Sequence, residues 1–169
     1  MKKFLPILVL LVVAFTFGCT GTPAEKTFSG DGITFQYPGT WENLSAGELE
    51  ASLPTLKYGS ANVITYLGND TEEFAVVELK ATSEGYVRSP SEWLQQMESS
   101  LEPSQIISKD ESLSVAGKNA ALVQWQEGNQ FITAVHIKID ESKGYQLYYS
   151  SPQSDLTTFQ KIIQNFNIS

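Results

Sequence analysis

Histidine is the side chain best suited to acid–base work near neutral pH, and this sequence has one, His136. It sits in "QFITAVHIK" between Val135 and Ile137. A period of two therefore puts it with Ile132, Ala134 and Lys138 on the more polar face of a strand. That setting predicts a half-exposed surface residue, not a base or a metal ligand. Serines are numerous, but neither a G-x-S-x-G elbow nor an S-x-x-K pair occurs, so nothing local supplies His136 with a nucleophile. Gly30 and Gly32 flank Asp31 without the further glycines or the lysine that cradle a nucleotide phosphate. The carboxylates cluster at turns: Asp70, Glu72 and Glu73; Asp110 and Glu111; Asp140 and Glu141. Hard cations take such oxygens, so weak calcium binding is a secondary expectation, although the spacing is not that of an EF-hand loop. No catalytic residue is assigned. A hydrolase of unknown class is the remaining alternative.

The one cysteine, Cys19, belongs to a different chemistry. "MKKFLPILVLLVVAFTFGCT" begins with Lys2 and Lys3, continues as an apolar run over residues 4–17, and closes on Gly18 and Cys19. This is the layout of a secretory signal, and the run falls short of the ~20 residues a membrane-spanning helix needs. A cysteine just after such a run resembles the lipobox of bacterial lipoproteins, in which the thiol is acylated and becomes the new N-terminus. Thr16 and Phe17 stand where that pattern has an aliphatic and then a small residue. The expected organisation is a signal peptide over 1–18, a tether over 19–27 with Cys19 as lipid attachment site, and one domain over 28–169. The expected place is outside the cytoplasm, anchored to the outer face of the cytoplasmic membrane.

The remainder has the means to fold. Of the 169 residues 41% are hydrophobic and 11% aromatic, enough to build a core. The formal net charge of −8, from nineteen acidic and eleven basic side chains, with no basic stripe, repels phosphate backbones and disfavours nucleic-acid binding. A single cysteine excludes an intrachain disulfide and a zinc site of paired thiolates.

Hydropathy patterning places the elements. Ile33, Phe35 and Tyr37 alternate on one face of a strand that Pro38 ends, because proline has no N–H to continue a ladder. Trp41 follows; packing on the core edge is the main expectation and contact with a ligand or partner the lesser one. "SANVITYLG" and "FAVVELKAT", split by "NDTEE", read as a hairpin. In "SPSEWLQQMESSLEP" Ser89 and Glu92 form a capping box, Pro90 suits the first helical position, and Leu94, Met97 and Leu101 recur at helical spacing. Four more strands, "QIISKDESLSV", "NAALVQWQE", "QFITAVHIKID" and "GYQLYYSS", are joined by short turns into a meander. "SDLTTFQKIIQNF" closes the chain as a helix with Leu156, Phe159, Ile163 and Phe166 on one face, broadened by Ile162. Val123 and Trp125 oppose Ala120 and Leu122, so the sheet is apolar on both faces and needs cover on both. The expected fold class is α+β, a three-layer α/β/α sandwich around a mainly antiparallel sheet.

Taken together, "GITFQYPGTW", "SPSEWLQQM", "VAGKNAALVQW" and "KGYQLYYSSPQSDLTTFQKIIQNFNI" resemble PsbP-like proteins, whose founding member is an extrinsic subunit of the oxygen-evolving photosystem II. The resemblance covers most of residues 28–169 and implies the same α/β/α fold. The plant subunit helps retain calcium and chloride, a nuclear relative binds a small GTPase, and many lipoproteins of this type have no assigned activity. No motif here carries the photosystem role residue by residue. The expected function is a non-catalytic, membrane-tethered module that binds a protein partner or stabilises a complex in the cell envelope.

Overall fold

A computed structural model describes residues 23–52 and 58–169 of the chain. Strands dominate, and every pairing is antiparallel. In chain order the elements are β1 (Lys26–Gly30), β2 (Ile33–Tyr37), β3 (Glu42–Asn43), α1 (Gly47–Ser52), β4 (Gly59–Gly68) and β5 (Glu73–Ala81). Then come α2 (Pro90–Ser100), β6 (Ile106–Val115), β7 (Lys118–Glu127), β8 (Gln130–Lys138), β9 (Lys143–Ser151), α3 (Thr157–Gln164) and β10 (Asn167–Ile168). The α+β class with a mainly antiparallel sheet follows directly.

The strands form two sheets. The larger runs β3-β4-β5-β9-β8-β7-β6, and the smaller runs β1-β2-β10. The hairpin β4–β5 and the meander β6 to β9 lie where patterning puts them, and the chain closes them into one sheet by pairing β5 with β9. The first strand was expected to belong with the others. Instead β2 pairs with β1, which starts at Lys26 inside the expected tether, and with the C-terminal β10.

Each face of the larger sheet carries its own apolar cluster, because side chains alternate along a strand. On one face Phe74, Val76, Val135, Leu147 and Tyr149 meet Ile33 and Phe35 of β2 and Phe159 and Ile162 of α3. The cover expected from a helix alone is thus shared with the small sheet. Phe35 stacks between Phe28 and Phe166, with ring centroids at 5.2 and 5.6 Å. In α3, Ile162 is buried and Ile163 is only half-buried, the reverse of the expected ranking: Leu156 is the N-cap and lies outside the helix, and the buried pair within it is Phe159 and Ile162 at i, i+3. On the other face Trp93 and Leu94 of α2 pack on Ala121, Val123, Trp125 and Ala134.

Helix α2 starts as its sequence dictates. The Ser89 hydroxyl accepts the Glu92 amide at 3.3 Å, and the Glu92 carboxylate accepts the Ser89 amide at 2.8 Å. Two otherwise orphaned N–H groups are satisfied at once. Lys109 of β6 and Glu98 of α2 form an ion pair.

A candidate binding cleft beside helix α2

Where α2 leaves β5 and β9 uncovered, an open cleft of about 580 Å³ remains, within the ~300–1,000 Å³ common for ligand sites. Strands supply its base: Leu79 of β5, His136 of β8, and Gln146 and Tyr148 of β9. Trp93 and Met97 of α2 form one wall, and the segment Glu84–Arg88 leading into the helix forms another. Tyr58 and Tyr86 line it as well, 42% and 59% exposed, and are its most accessible aromatic surface.

Backbone bonds hold the Glu84–Arg88 segment in place. The Thr82 amide donates to the Tyr58 carbonyl at 2.9 Å, and the Val87 amide to the Glu141 carbonyl at 2.8 Å. Gly85 passes so close to Tyr58 that a Cβ there would lie 2.5 Å from the Tyr58 carbonyl oxygen and Cβ. Only glycine fits that approach.

His136 is not the half-exposed residue that its lysine neighbour suggested. It is 2% exposed, and its ring stacks on Trp93 at 5.3 Å with 15° between the planes. The sequence pattern places it correctly on the face with Lys138, but α2 comes down over that face. Its Nε2 lies 3.0 Å from the Arg88 carbonyl oxygen. A carbonyl can only accept, so Nε2 carries the proton. Nδ1 is then free to accept from the Gln146 amide at 3.5 Å, while Gln146 Oε1 accepts from the Tyr148 hydroxyl at 2.7 Å. The chain Tyr148–Gln146–His136–Arg88 is consistent with one tautomer of a neutral imidazole. Burial holds the His136 pKa below its usual value against the opposing pull of the Arg88 carbonyl, and the Arg88 and Lys138 charges lower it further. Burial also pushes the Tyr148 phenol up to about 12.

No serine, threonine or cysteine lies among the described residues lining the cleft, and both nitrogens of His136 already have partners. What the cleft offers is aromatic surface, an ordered polar base and the chain's one arginine.

The residues singled out in the sequence lie elsewhere. Cys19 falls outside the described residues. Trp41 is fully buried, between Phe74 and Tyr149 at 6.3 Å from each, so its rings present no open face. Its Nε1 donates to Glu72 at 3.4 Å, and the same carboxylate accepts the Tyr149 hydroxyl at 2.6 Å. Burial, and then the Glu72 carboxylate, raise the Tyr149 pKa. Pro38, Gly39 and Thr40 line a smaller hollow of about 190 Å³ together with Lys161.

The acidic turns hold themselves together. Asp140 accepts the Ser142 and Lys143 amides at 2.7 and 2.9 Å, Asp110 accepts the Ser112 amide at 2.8 Å, and Glu73 accepts the Tyr66 hydroxyl at 2.5 Å. Among the described residues no group of three or more His, Cys, Asp or Glu side chains converges as a metal site. The cleft itself was not foreseen. The only local signal was that Arg88 and Trp93 border the capping box; His136 comes from β8, over forty residues later.

No protein-family model matches the chain, and no curated protein matches it. Among solved structures it is similar to a protein from Bacteroides thetaiotaomicron VPI-5482 at 10% identity and a TM-score of 0.48, over 88% of this chain and 49% of that one. The chain thus spans about half the length of that protein. It is also similar, at 15% identity and a TM-score of 0.39, to PA94 from Pseudomonas aeruginosa, a protein of unknown function, over 80% of this chain and 88% of that one.

Proposed function

We propose that this chain is a non-catalytic binding module of PsbP-like type, a three-layer α/β/α sandwich held outside the cytoplasm by a lipid on Cys19. Its role is to bind a protein partner and so stabilise a complex at the outer face of the cytoplasmic membrane. The observation that carries this reading is the pair Tyr58 and Tyr86, 42% and 59% exposed and on the same cleft. Tyrosine is among the residues that dominate protein–protein binding energy, since it brings a large rigid surface with a polar tip. The satisfied polar chain beneath them, with no nucleophile beside it, supports binding over chemistry. The signal-like N-terminus and Cys19 support the location.

Crosslinking in intact membranes tests it. A reproducible partner should be captured by the unaltered chain and by Ile107→Ser, which removes an exposed hydrophobic residue on β6 (47% exposed). The same partner should be lost with the double variant Tyr58→Ser/Tyr86→Ser. Capture of no reproducible partner, or equal capture by the double variant, refutes the reading.

A further inference from the structure

We infer that the interior of this cleft is a binding site for a small aromatic carboxylate. This goes beyond the partner role proposed for the tyrosines at its edge and concerns what enters between them. Charge is the first argument. The chain is acidic overall, at −8, yet the ionic side chains lining the cleft are Lys80 and Arg88 against Glu84 alone. Lys80 is paired with Glu78 at 2.6 Å, which leaves Arg88, the chain's only arginine, as the cation for an incoming group. Its planar fork of N–H donors matches a carboxylate in two bonds at once.

The second argument is the balance of donors. Gln146 spends one amide hydrogen on His136 and one Oε1 lone pair on Tyr148, so its second hydrogen remains to be given. Gln96 also lines the cleft and is exposed. Acceptor-rich ligands suit such a site, because each donor they meet would otherwise face only water. Shape is the third. Trp93 and His136 stack face to face and are almost fully buried, so they close the cleft floor, and the ring surface left to a ligand is that of Tyr86 and Tyr58 with the half-buried Tyr148. Flat rings pack on such surfaces with offset or edge contacts. A volume of about 580 Å³ accommodates a bicyclic ring with its acid group turned outward to Arg88.

Calorimetric titration of the full chain in detergent, with three matched probes, tests the assignment. Indole-3-acetate, indole-3-acetamide and tryptamine share a ring and differ in charge. A charge-assisted pair contributes enough to separate the acetate from the acetamide by about tenfold in affinity, with tryptamine weakest. Arg88→Gln should erase the difference between acetate and acetamide while leaving the acetamide unchanged, and Arg88→Lys should restore part of it. Equal binding of acetate and acetamide overturns the carboxylate assignment, as does a preference that survives Arg88→Gln. No binding of any probe at ten-millimolar concentration overturns the site altogether. None of these results decides the partner reading, which stands or falls on crosslinking through Tyr58 and Tyr86.

Discussion

Replacing Trp41 with alanine asks whether the "YPGTW" turn belongs to the core. The indole is fully buried. A buried aromatic side chain removes about 150–250 Å² from water, and at about 25 cal/mol/Å² that is ~4–6 kcal/mol, an upper bound because the unfolded chain is itself partly collapsed. Large-to-small substitutions of tryptophan in cores cost about 3–5 kcal/mol, so the two routes overlap near ~4 kcal/mol. The long 3.4 Å bond to Glu72 adds little, because that carboxylate keeps the Tyr149 hydroxyl at 2.6 Å. The bond from Lys26 survives as well, since it goes to the Trp41 backbone carbonyl at 2.9 Å. For a chain of this size each kcal/mol moves the melting midpoint by ~2–4 °C, so Trp41→Ala should lower it by ~8–16 °C. Trp41→Phe keeps a ring against Phe74 and Tyr149 and should cost about 1–2 kcal/mol. Urea unfolding followed by circular dichroism reads both, with an unchanged slope marking a true stability effect. A loss below ~1 kcal/mol for Trp41→Ala would show that the indole is dispensable to the core. Equal losses for alanine and phenylalanine would show that the Glu72 bond, not the stacking, carries the contribution.

Other perturbations have equally definite outcomes. The pKa of His136 is depressed in the folded chain from its ordinary 6.5, so the unfolded state binds the proton first. Its stability contribution is fully present above about pH 6.5, and is lost as pH falls through the folded pKa. The depressed Glu78, Glu92, Asp140 and Asp155 carboxyls lose theirs only below their ordinary 4.5 and 3.8. His136→Gln should therefore flatten the unfolding free energy between about pH 6.5 and 4.5; an unchanged slope there refutes the neutral-imidazole assignment. Ser89→Ala removes one half of the capping box and should cost about 1 kcal/mol in urea unfolding, and a loss under a few tenths would mean the box is replaced by water. Cys19→Ser should move the chain from the membrane pellet to the soluble fraction, and mass spectrometry of the unaltered chain should find an acylated N-terminal cysteine. A free thiol there, or continued pelleting of the serine variant, rules out lipid attachment.

What could be read from the sequence and what could not divides along a physical line. Contacts within one element, or between elements joined by a short turn, leave periodic or local marks. The capping box at Ser89 and Glu92, the β4–β5 hairpin and the β6–β9 meander are all of that kind. β1 carries such a mark too: Asp31 and Gly32 take φ of 50° and 76°, the left-handed pair a two-residue hairpin requires. Asp-Gly before "ITFQY" is the usual signature of that turn. Contacts between distant segments leave no such mark. β10 reaches β2 from the other end of the chain, and nothing in two residues announces that pairing. His136 shows the same limit from the side of function. Alternation assigned its face, but whether that face meets water depends on α2, whose Trp93 lies over forty residues earlier in the sequence. Burial then changes the chemistry: the same imidazole that would titrate freely on a surface is held neutral, pinned to the Arg88 carbonyl, and turned into part of the base of a cleft. Composition alone could say that one histidine and one arginine exist; only the crossing of a helix over an antiparallel sheet brings them to the same site.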